Sequence, residues 1–186
     1  MRLFVAIEIP KEIREALANF VVQLRAIAPQ VKWARTDNLH VTLKFLGHTA
    51  PAKLQAIENV LSAIRSDAPV TLEFRGFGFF PNEKRPRVFW ASMEASANLK
   101  SIAADVDQAT HKLGFPLQEQ PFTPHLTLAR FDAPVIAPEL SAAIVERGSR
   151  TFGIMTAREF HLIESKLKPA GAEYTTLRSF PFAAEI

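Results

Sequence analysis

Apolar residues recur along the chain at two spacings, which predict strands in alternation with helices. Short runs rich in Val, Ile, Leu and Phe are typical of buried strands, whereas apolar residues three to four positions apart mark one face of a helix. We predict helices that begin near Pro10, Pro51 and Pro138, and a further helix over residues 99–113. The predicted strands cover residues 2–9, 31–34, 40–46, 70–74, 88–93, 125–130, 159–167 and 174–182.

Two pairs of these strands are predicted to form hairpins. The stretch RGFGFFPNEKRPRVFWASM contains a polar segment, PNEKRP, between two apolar runs. It predicts a long hairpin whose tip carries Lys84, Arg85 and Arg87. The segment KPAGAE joins the last two strands in a similar way, as a turn rich in breaker residues.

The clearest repeat is a short motif, HVTL in the first half of the chain and HLTL in the second. Successive side chains on a strand point to opposite faces. In the first copy, His40, Thr42 and Lys44 are therefore expected on one face, and Val41 and Phe45 on the other. Lys44 would either add positive potential beside His40 or be a solvated lysine.

The second copy has the same pattern, with His125 and Thr127 on one face and Leu126 and Leu128 behind them. Strict alternation places Arg130 on the leucine face, away from His125. Arg130 reaches the histidine only if the strand ends or bulges after Leu128. It would then clamp a phosphate, because guanidinium matches phosphate geometry; otherwise it would form an ion pair at the strand end.

Both halves of the chain follow the order helix, HxT strand, helix, then further strands. We therefore expect an α+β fold that arose by duplication, with mixed or mostly antiparallel sheets around a central cleft and helices packed outside. Since no linker separates the halves, residues 1–186 are predicted to form a single bilobal domain.

Composition narrows the possible functions. The 186-residue chain is 48% hydrophobic, and its net charge of +3 suits an anionic substrate but is too small for general coating of nucleic acid. No apolar run approaches the roughly 20 residues that span a bilayer, so no membrane association is expected. Cysteine is absent, which excludes disulfides and thiolate chemistry and fits a cytoplasmic protein.

Two imidazoles and two hydroxyls around one cleft suit the cleavage of a phosphodiester. One neutral imidazole can take a proton from water while a protonated one donates to the leaving oxygen, and the threonine hydroxyls can bind phosphate oxygens. This chemistry needs no metal or other cofactor. The non-catalytic alternative for a single HxT motif is a structural histidine that is partly buried and hydrogen-bonded. A zinc site would need a third ligand, and no HExxH or similar cluster is present.

Longer segments around the motifs resemble a known family. HVTLKFLG, PFTPHLTLAR, RLFVAIEIP, FGFFPNEKRPRVFWA and LIESKLKPAGAEYTTL are similar to the bacterial and archaeal RNA 2′,3′-cyclic phosphodiesterases, also called 2′-5′ RNA ligases. These belong to the 2H phosphoesterase superfamily, which the paired HxT motifs mark. The resemblance extends over nearly the whole chain and implies a bilobal α+β fold whose two HxT strands line the cleft.

The resemblance also implies an activity and roles for residues. The activity is hydrolysis of a 2′,3′-cyclic phosphate at an RNA 3′ end to a 2′-phosphate, with reversible 2′-5′ joining of some RNA ends. By the resemblance, His40 protonates the departing O3′, His125 activates water, and Thr42 and Thr127 donate to the phosphate. The two motifs alone do not order the histidine roles, because they are nearly equivalent.

Contacts with the rest of the RNA are expected from aromatic and basic residues. Phe122, just before the second motif, is a candidate for stacking on a base. The Lys84, Arg85 and Arg87 cluster either follows the RNA backbone or is simply solvated. Two other functions stay open from the sequence: a related enzyme for a small cyclic nucleotide such as ADP-ribose cyclic phosphate, and an RNA-end-binding module without turnover. A monomer is expected in each case.

Overall fold

A computed structural model describes residues 1–148, 150–169 and 171–183. The helices of the described residues are α1 (Lys11–Ile27), α2 (Leu54–Leu61), α3 (Asn98–His111) and α4 (Pro138–Arg147). The strands are β1 (Arg2–Glu8), β2 (Lys32–Trp33), β3 (His40–His48), β4 (Val70–Phe80), β5 (Val88–Ala95), β6 (His125–Arg130), β7 (Thr151–Ala157), β8 (Glu159–Lys168) and β9 (Gly171–Pro181). Short 3-10 turns cover Thr36–Asn38 and Pro51–Lys53, so the second predicted helix starts as a 3-10 turn at its proline.

The strands form two antiparallel sheets, which confirms the predicted α+β class. The first sheet has the order β3-β1-β8-β9 and the second the order β2-β6-β5-β4-β7. In the first half of the chain β1 pairs with β3, and in the second half β5 pairs with β6 in the same antiparallel sense. The duplication therefore places each HxT strand beside the first long strand of its own half.

The helices cover the sheet faces that point away from the cleft. Helix α1 packs against β7 and α4, and α3 packs against α2 and β3. The ring of Phe20 on α1 stacks on Phe77 of the second sheet at 4.6 Å between centroids. Helix α1 thus comes directly after β1 of the first sheet in the chain but packs against the second sheet. The buried side chains of the two halves therefore form one hydrophobic core.

Strand β7 is the one strand of the described residues that the sequence pattern did not predict. It is an edge strand paired with β4, and only Ala157 of its seven residues is buried. Its sequence, TFGIMTA, therefore shows no clear alternation of apolar and polar positions. Gly153 sits where α1 comes close: a Cβ there would lie 2.8 Å from Cγ1 of Ile13, and its φ is +140°.

Both predicted hairpins are confirmed by the pairing of β4 with β5 and of β8 with β9. In the first, β4 continues through the glycine- and phenylalanine-rich segment to Phe80, beyond the residues 70–74 that were predicted as a strand. The turn of the second includes residue 170, which lies outside the described residues.

Candidate active site

Strand β3 is bulged at its HxT motif, and this changes which side chains reach the cleft. Val5 on β1 pairs with Lys44 while the next residue, Ala6, pairs with Thr42, so Leu43 is an extra residue. Beyond it the alternation is shifted by one position. Lys44 is only 2% exposed, and Phe45 is 74% exposed. The expectations that Phe45 shares the face of Val41 and that Lys44 is a solvated lysine are therefore both wrong.

Strand β6 carries an equivalent bulge. Trp90 on β5 pairs with Thr127 and Phe89 pairs with Ala129, so Leu128 is the extra residue. Ala129 is buried, and Arg130 is exposed toward the cleft that the two motifs share. The break in alternation that Arg130 needed is thus present, and Arg130 occupies in the second half the place of Phe45 in the first.

The two motif strands face each other across one cleft. Strands β3 and β6 come within 8 Å of each other between Cα atoms, although they belong to different sheets. The cleft between them has a volume of about 1070 Å³. The six residues that were predicted to act on the phosphate or on the terminal base all line it: His40, Thr42, Phe122, His125, Thr127 and Arg130.

The ring of His40 is held by its own backbone and by two aromatic side chains. Its Nδ1 lies 3.0 Å from the carbonyl oxygen of Asn38. The ring contacts Phe4 at 6.1 Å and Tyr174 at 5.6 Å between centroids, with interplanar angles of 81° and 61°. Because a carbonyl oxygen only accepts, Nδ1 carries the proton in this contact and Nε2 is left for a substrate.

His125 is held in the same way. Its Nδ1 lies 2.8 Å from the carbonyl oxygen of Thr123, again two residues earlier in the chain. The ring contacts Phe80 at 5.1 Å and Trp90 at 6.1 Å between centroids. The two imidazoles therefore have matching orientations, each with Nδ1 engaged by the backbone and with Nε2 left for a substrate.

The surroundings of His40 shift its pKa. Burial lowers the pKa of His40 below the ordinary histidine value, because desolvation disfavours the charged ring. The hydrogen bond to the Asn38 carbonyl and the negative charge of Glu8 act in the opposite direction. Arg14 and His161 also lower the pKa through their positive charge. His40 is therefore neutral over a wider pH range than an exposed histidine.

Lys44 connects the first motif to the loop that leads into the second. Its Nζ lies 2.5 Å from Oδ1 of Asp107 on α3 and donates to the carbonyl of Pro116 at 2.9 Å. The Asp107 carboxylate also accepts the backbone N–H of Gln118, whose side-chain Nε2 donates to the carbonyl of Leu43 at 2.7 Å. The loop is thus attached to the bulge of β3 from two sides.

Sequence reasoning did not identify several residues that line the cleft. Phe45, Gln118 and Tyr174 are among them. The signal for Phe45 was hidden by the bulge, and Gln118 lies in a loop with no periodicity. Tyr174 is the only tyrosine in the chain and starts a predicted strand, but its position beside His40 depends on the pairing of β9 with β8.

The described residues were also compared with the requirements of a metal site and of a membrane-spanning helix. Within the described ranges, no group of three or more histidine, aspartate or glutamate side chains is arranged to hold a metal ion. None of the helices in the same ranges is both long enough and apolar enough to cross a membrane.

Comparison with known proteins gives consistent matches over the whole chain. The family model of LigT-like phosphoesterases matches residues 7–90 and again residues 92–174, one match for each half. An RNA 2′,3′-cyclic phosphodiesterase of Archaeoglobus fulgidus is 37% identical over 97% of this chain and 99% of the relative. One from Thermus thermophilus is 36% identical over 100% of this chain and 92% of the relative.

Solved structures agree with this result. The crystal structure of TT0787 of Thermus thermophilus matches with a TM-score of 0.79 and 32% identity, covering 98% of both chains. The structure of LigT from E. coli in complex with 3′-AMP matches with a TM-score of 0.77 and 29% identity, again over 98% of both chains. The fold is therefore shared with these proteins.

Proposed function

The chain belongs to the LigT-like phosphoesterase family, and from this premise we propose that it hydrolyses RNA 2′,3′-cyclic phosphate ends to 2′-phosphomonoesters without a metal. The observation that carries the proposal is the matched pair of imidazoles. His40 and His125 face one cleft, each with Nδ1 bound to a backbone carbonyl and Nε2 left for the substrate. Such a pair can remove one proton and supply another in a single displacement.

The reaction is an in-line displacement at phosphorus. Water attacks the phosphorus atom and passes a proton to the neutral imidazole as the new P–O bond forms. The P–O3′ bond breaks, and the departing O3′ takes a proton from the imidazolium on the opposite side. The product carries a free 3′-hydroxyl and a 2′-phosphate. A second exchange of protons with solvent returns both histidines to their starting states.

The hydroxyls of Thr42 and Thr127 and the guanidinium of Arg130 would stabilise the phosphate. Both threonines are half-buried on the cleft face of their strands, two residues after each histidine. Hydroxyl donors positioned beforehand can bind the non-bridging oxygens as charge builds up on them. Arg130 lies three residues after Thr127, beyond the bulge at Leu128. Its guanidinium carries a permanent positive charge, and its planar geometry matches that of the phosphate oxygens.

The resemblance to the family gives His40 the role of acid and His125 that of base. The lowered pKa of His40 sets a condition on this assignment. The bound cyclic phosphate, which is an anion, must raise the pKa of His40 so that the ring is protonated when O3′ leaves. The same cleft can run the ligation reaction when the 5′-hydroxyl of a second RNA takes the place of water, which yields a 2′-5′ linkage.

The terminal nucleoside would be held by aromatic side chains at the rim. Phe122 lines the cleft on the loop before the second motif, and Phe45 presents most of its ring from the first. Stacking on rings of this kind accepts any base. Since both halves of the site come from one chain, we expect the monomer to be the active form.

The proposal is tested with a short RNA that ends in a 2′,3′-cyclic phosphate, incubated with the purified protein in excess EDTA. We expect conversion to the 2′-phosphate, and loss of turnover in His40→Ala and in His125→Ala, with both variants still folded by circular dichroism. Wild-type turnover in either variant would exclude the two-histidine mechanism. Loss of activity in EDTA that zinc restores would favour a metal-dependent reaction.

The same assay separates the two other functions that the sequence left open. Tight binding of the cyclic RNA with no product would indicate a binding module without turnover. Faster hydrolysis of ADP-ribose cyclic phosphate than of the RNA end would indicate a small-nucleotide enzyme. The presence of two histidines at the cleft argues against the binding module, because phosphate binding alone is better served by Arg or Lys.

A further inference from the structure

The turn between β4 and β5 extends directly from the wall of the cleft. Phe80 at the end of β4 pairs with Val88 at the start of β5, and Val88 pairs with Arg130 on β6. Phe80 also contacts the ring of His125 at 5.1 Å and, together with Pro81, lines the cleft. The basic residues of the turn therefore lie immediately beyond the site residues of the second motif.

The backbone of this turn is held in place. Oδ1 of Asn82 accepts the backbone N–H groups of Lys84 at 3.0 Å and Arg85 at 3.1 Å. Pro86 is buried, and the backbone N–H of Arg87 donates to the carbonyl of Phe80 at 2.8 Å. The guanidinium of Arg87 donates to the backbone carbonyl of Asp132. The turn thus presents its cations from a fixed backbone.

Positive charge at this rim is not balanced by nearby acids. Lys84 and Arg85 are exposed, and neither side chain makes an ion pair or hydrogen bond with any described residue. Glu83 lies between them and Asn82, but it lines a separate hollow of about 430 Å³ that β4 forms with α4. Asp132 is paired with Lys32 at 2.6 Å.

The opposite rim of the cleft, formed by the β8–β9 hairpin, has a different charge pattern. Lys168 pairs with Glu173 at 2.7 Å, and Lys166 pairs with Glu164 at 3.3 Å. These cations are therefore already matched by carboxylates of the same hairpin. Of these two rims, the β4–β5 turn is therefore the one whose cations, Lys84 and Arg85, have no acidic partner among the described residues. An RNA chain that leaves the cleft would be attracted to this turn.

We propose that the turn of residues 82–87 binds the phosphodiester backbone of the RNA upstream of its 3′-terminal nucleotide. The inference rests on the proposed function and deepens it, because it makes the substrate an RNA chain and not a mononucleotide. Lys84 and Arg85 contact phosphates and read no sequence, so they raise affinity for any RNA of sufficient length. The terminal cyclic phosphate is held and cleaved by the motif residues, which do not depend on the turn.

The test compares two substrates in the double variant Lys84→Ala/Arg85→Ala. One substrate is a nucleoside 2′,3′-cyclic phosphate, and the other is an RNA of about ten nucleotides with the same terminal group. We expect kcat/KM for the RNA to fall about tenfold near 50 mM salt, while kcat/KM for the mononucleotide changes by less than about twofold. The slope of log kcat/KM for the RNA against log salt should become shallower by about 1.4, or roughly 0.7 for each lost phosphate contact.

The matched control is Arg25→Ala/Lys100→Ala, which removes one arginine and one lysine from exposed positions on α1 and α3. It changes the net charge by the same amount and should leave both substrates unaffected. The inference is overturned if the turn variant affects both substrates equally, if it leaves the RNA unaffected, or if the control shows the same loss. A wild-type protein that hydrolysed neither substrate would instead refute the proposed function.

Discussion

Nζ of Lys44 lies 2.5 Å from Oδ1 of Asp107, in an ion pair whose lysine side chain is 2% exposed and whose aspartate is 15% exposed. The pair joins the strand of the first histidine to the helix and loop that lead to the second. Because Lys44 cannot reach water, the charge left behind after removal of its partner would be buried. The two members of the pair are therefore not equivalent in their effect on stability.

We predict that Asp107→Ala lowers the free energy of unfolding by about 3–5 kcal/mol, since it leaves Lys44 buried and unpaired. Lys44→Met should cost less, because the apolar chain fills the site and Asp107 keeps partial access to water. Urea unfolding measures both. The control is Lys32→Ala at the exposed pair with Asp132, where the loss should be below about 1 kcal/mol. A larger loss for Lys44→Met than for Asp107→Ala would contradict this account.

The roles of the two histidines can be separated with a substrate whose bridging O3′ is replaced by sulfur. A thiolate leaves without a proton, so it does not need the general acid. His40→Ala should lose about 10²- to 10⁴-fold in kcat with the oxygen substrate and recover most of that loss with the sulfur substrate. His125→Ala should be slow with both. Recovery in His125→Ala alone would show that the assignment must be reversed.

The pH dependence of kcat/KM should respond to Glu8, whose negative charge raises the pKa of His40 against the effect of burial. Glu8→Gln removes that charge and keeps an acceptor for the Thr176 hydroxyl, which lies 2.7 Å from Glu8 Oε1. The pKa of His40 should then fall further below the ordinary value. If His40 is the acid, activity is lost as pH rises through this pKa, so the alkaline limb moves to lower pH.

A shift of the acidic limb in Glu8→Gln would instead show that the pKa of His40 is the lower of the two that limit kcat/KM. The limb that moves therefore ranks the two pKa values, and the sulfur substrate assigns the roles. Glu12→Gln, an exposed change on α1, is the control and should leave both limbs in place. A profile that is unchanged in Glu8→Gln would show that Glu8 does not act on His40.

Phe45→Ala should lower kcat/KM for the cyclic RNA end by roughly 5- to 150-fold, because a base that stacks on an aromatic ring loses about 1–3 kcal/mol when the ring is removed. Its ring is 74% exposed, so the melting temperature should hardly change. Phe45→Trp should keep most of the activity. Val145→Ala, a truncation of a 73% exposed apolar residue on α4, is the control and should have no effect. Equal activity in Phe45→Ala and the wild type would exclude stacking at this position.

Local patterns in the sequence predicted much of the molecule. Strand and helix periodicities located nearly all of the elements, because each has one face buried against a core. The strand period of two placed His40 and Thr42 on one face, and His125 and Thr127 on another, and the structure brings all four to one cleft. These predictions succeeded because they depend on residues next to one another in the chain.

Tertiary structure decided what depends on partners far away in the sequence. The bulges at Leu43 and Leu128 arise from pairing with β1 and β5, and they turn Phe45 and Arg130 toward the cleft, while the side chain of Lys44 is buried against Asp107. Strand β7 exists because β4 offers an edge for it to pair with. The sequence by itself determined the faces of the two motifs up to their threonines. Beyond those threonines one extra residue in each strand reverses the alternation, and only the paired strand determines where that residue is placed.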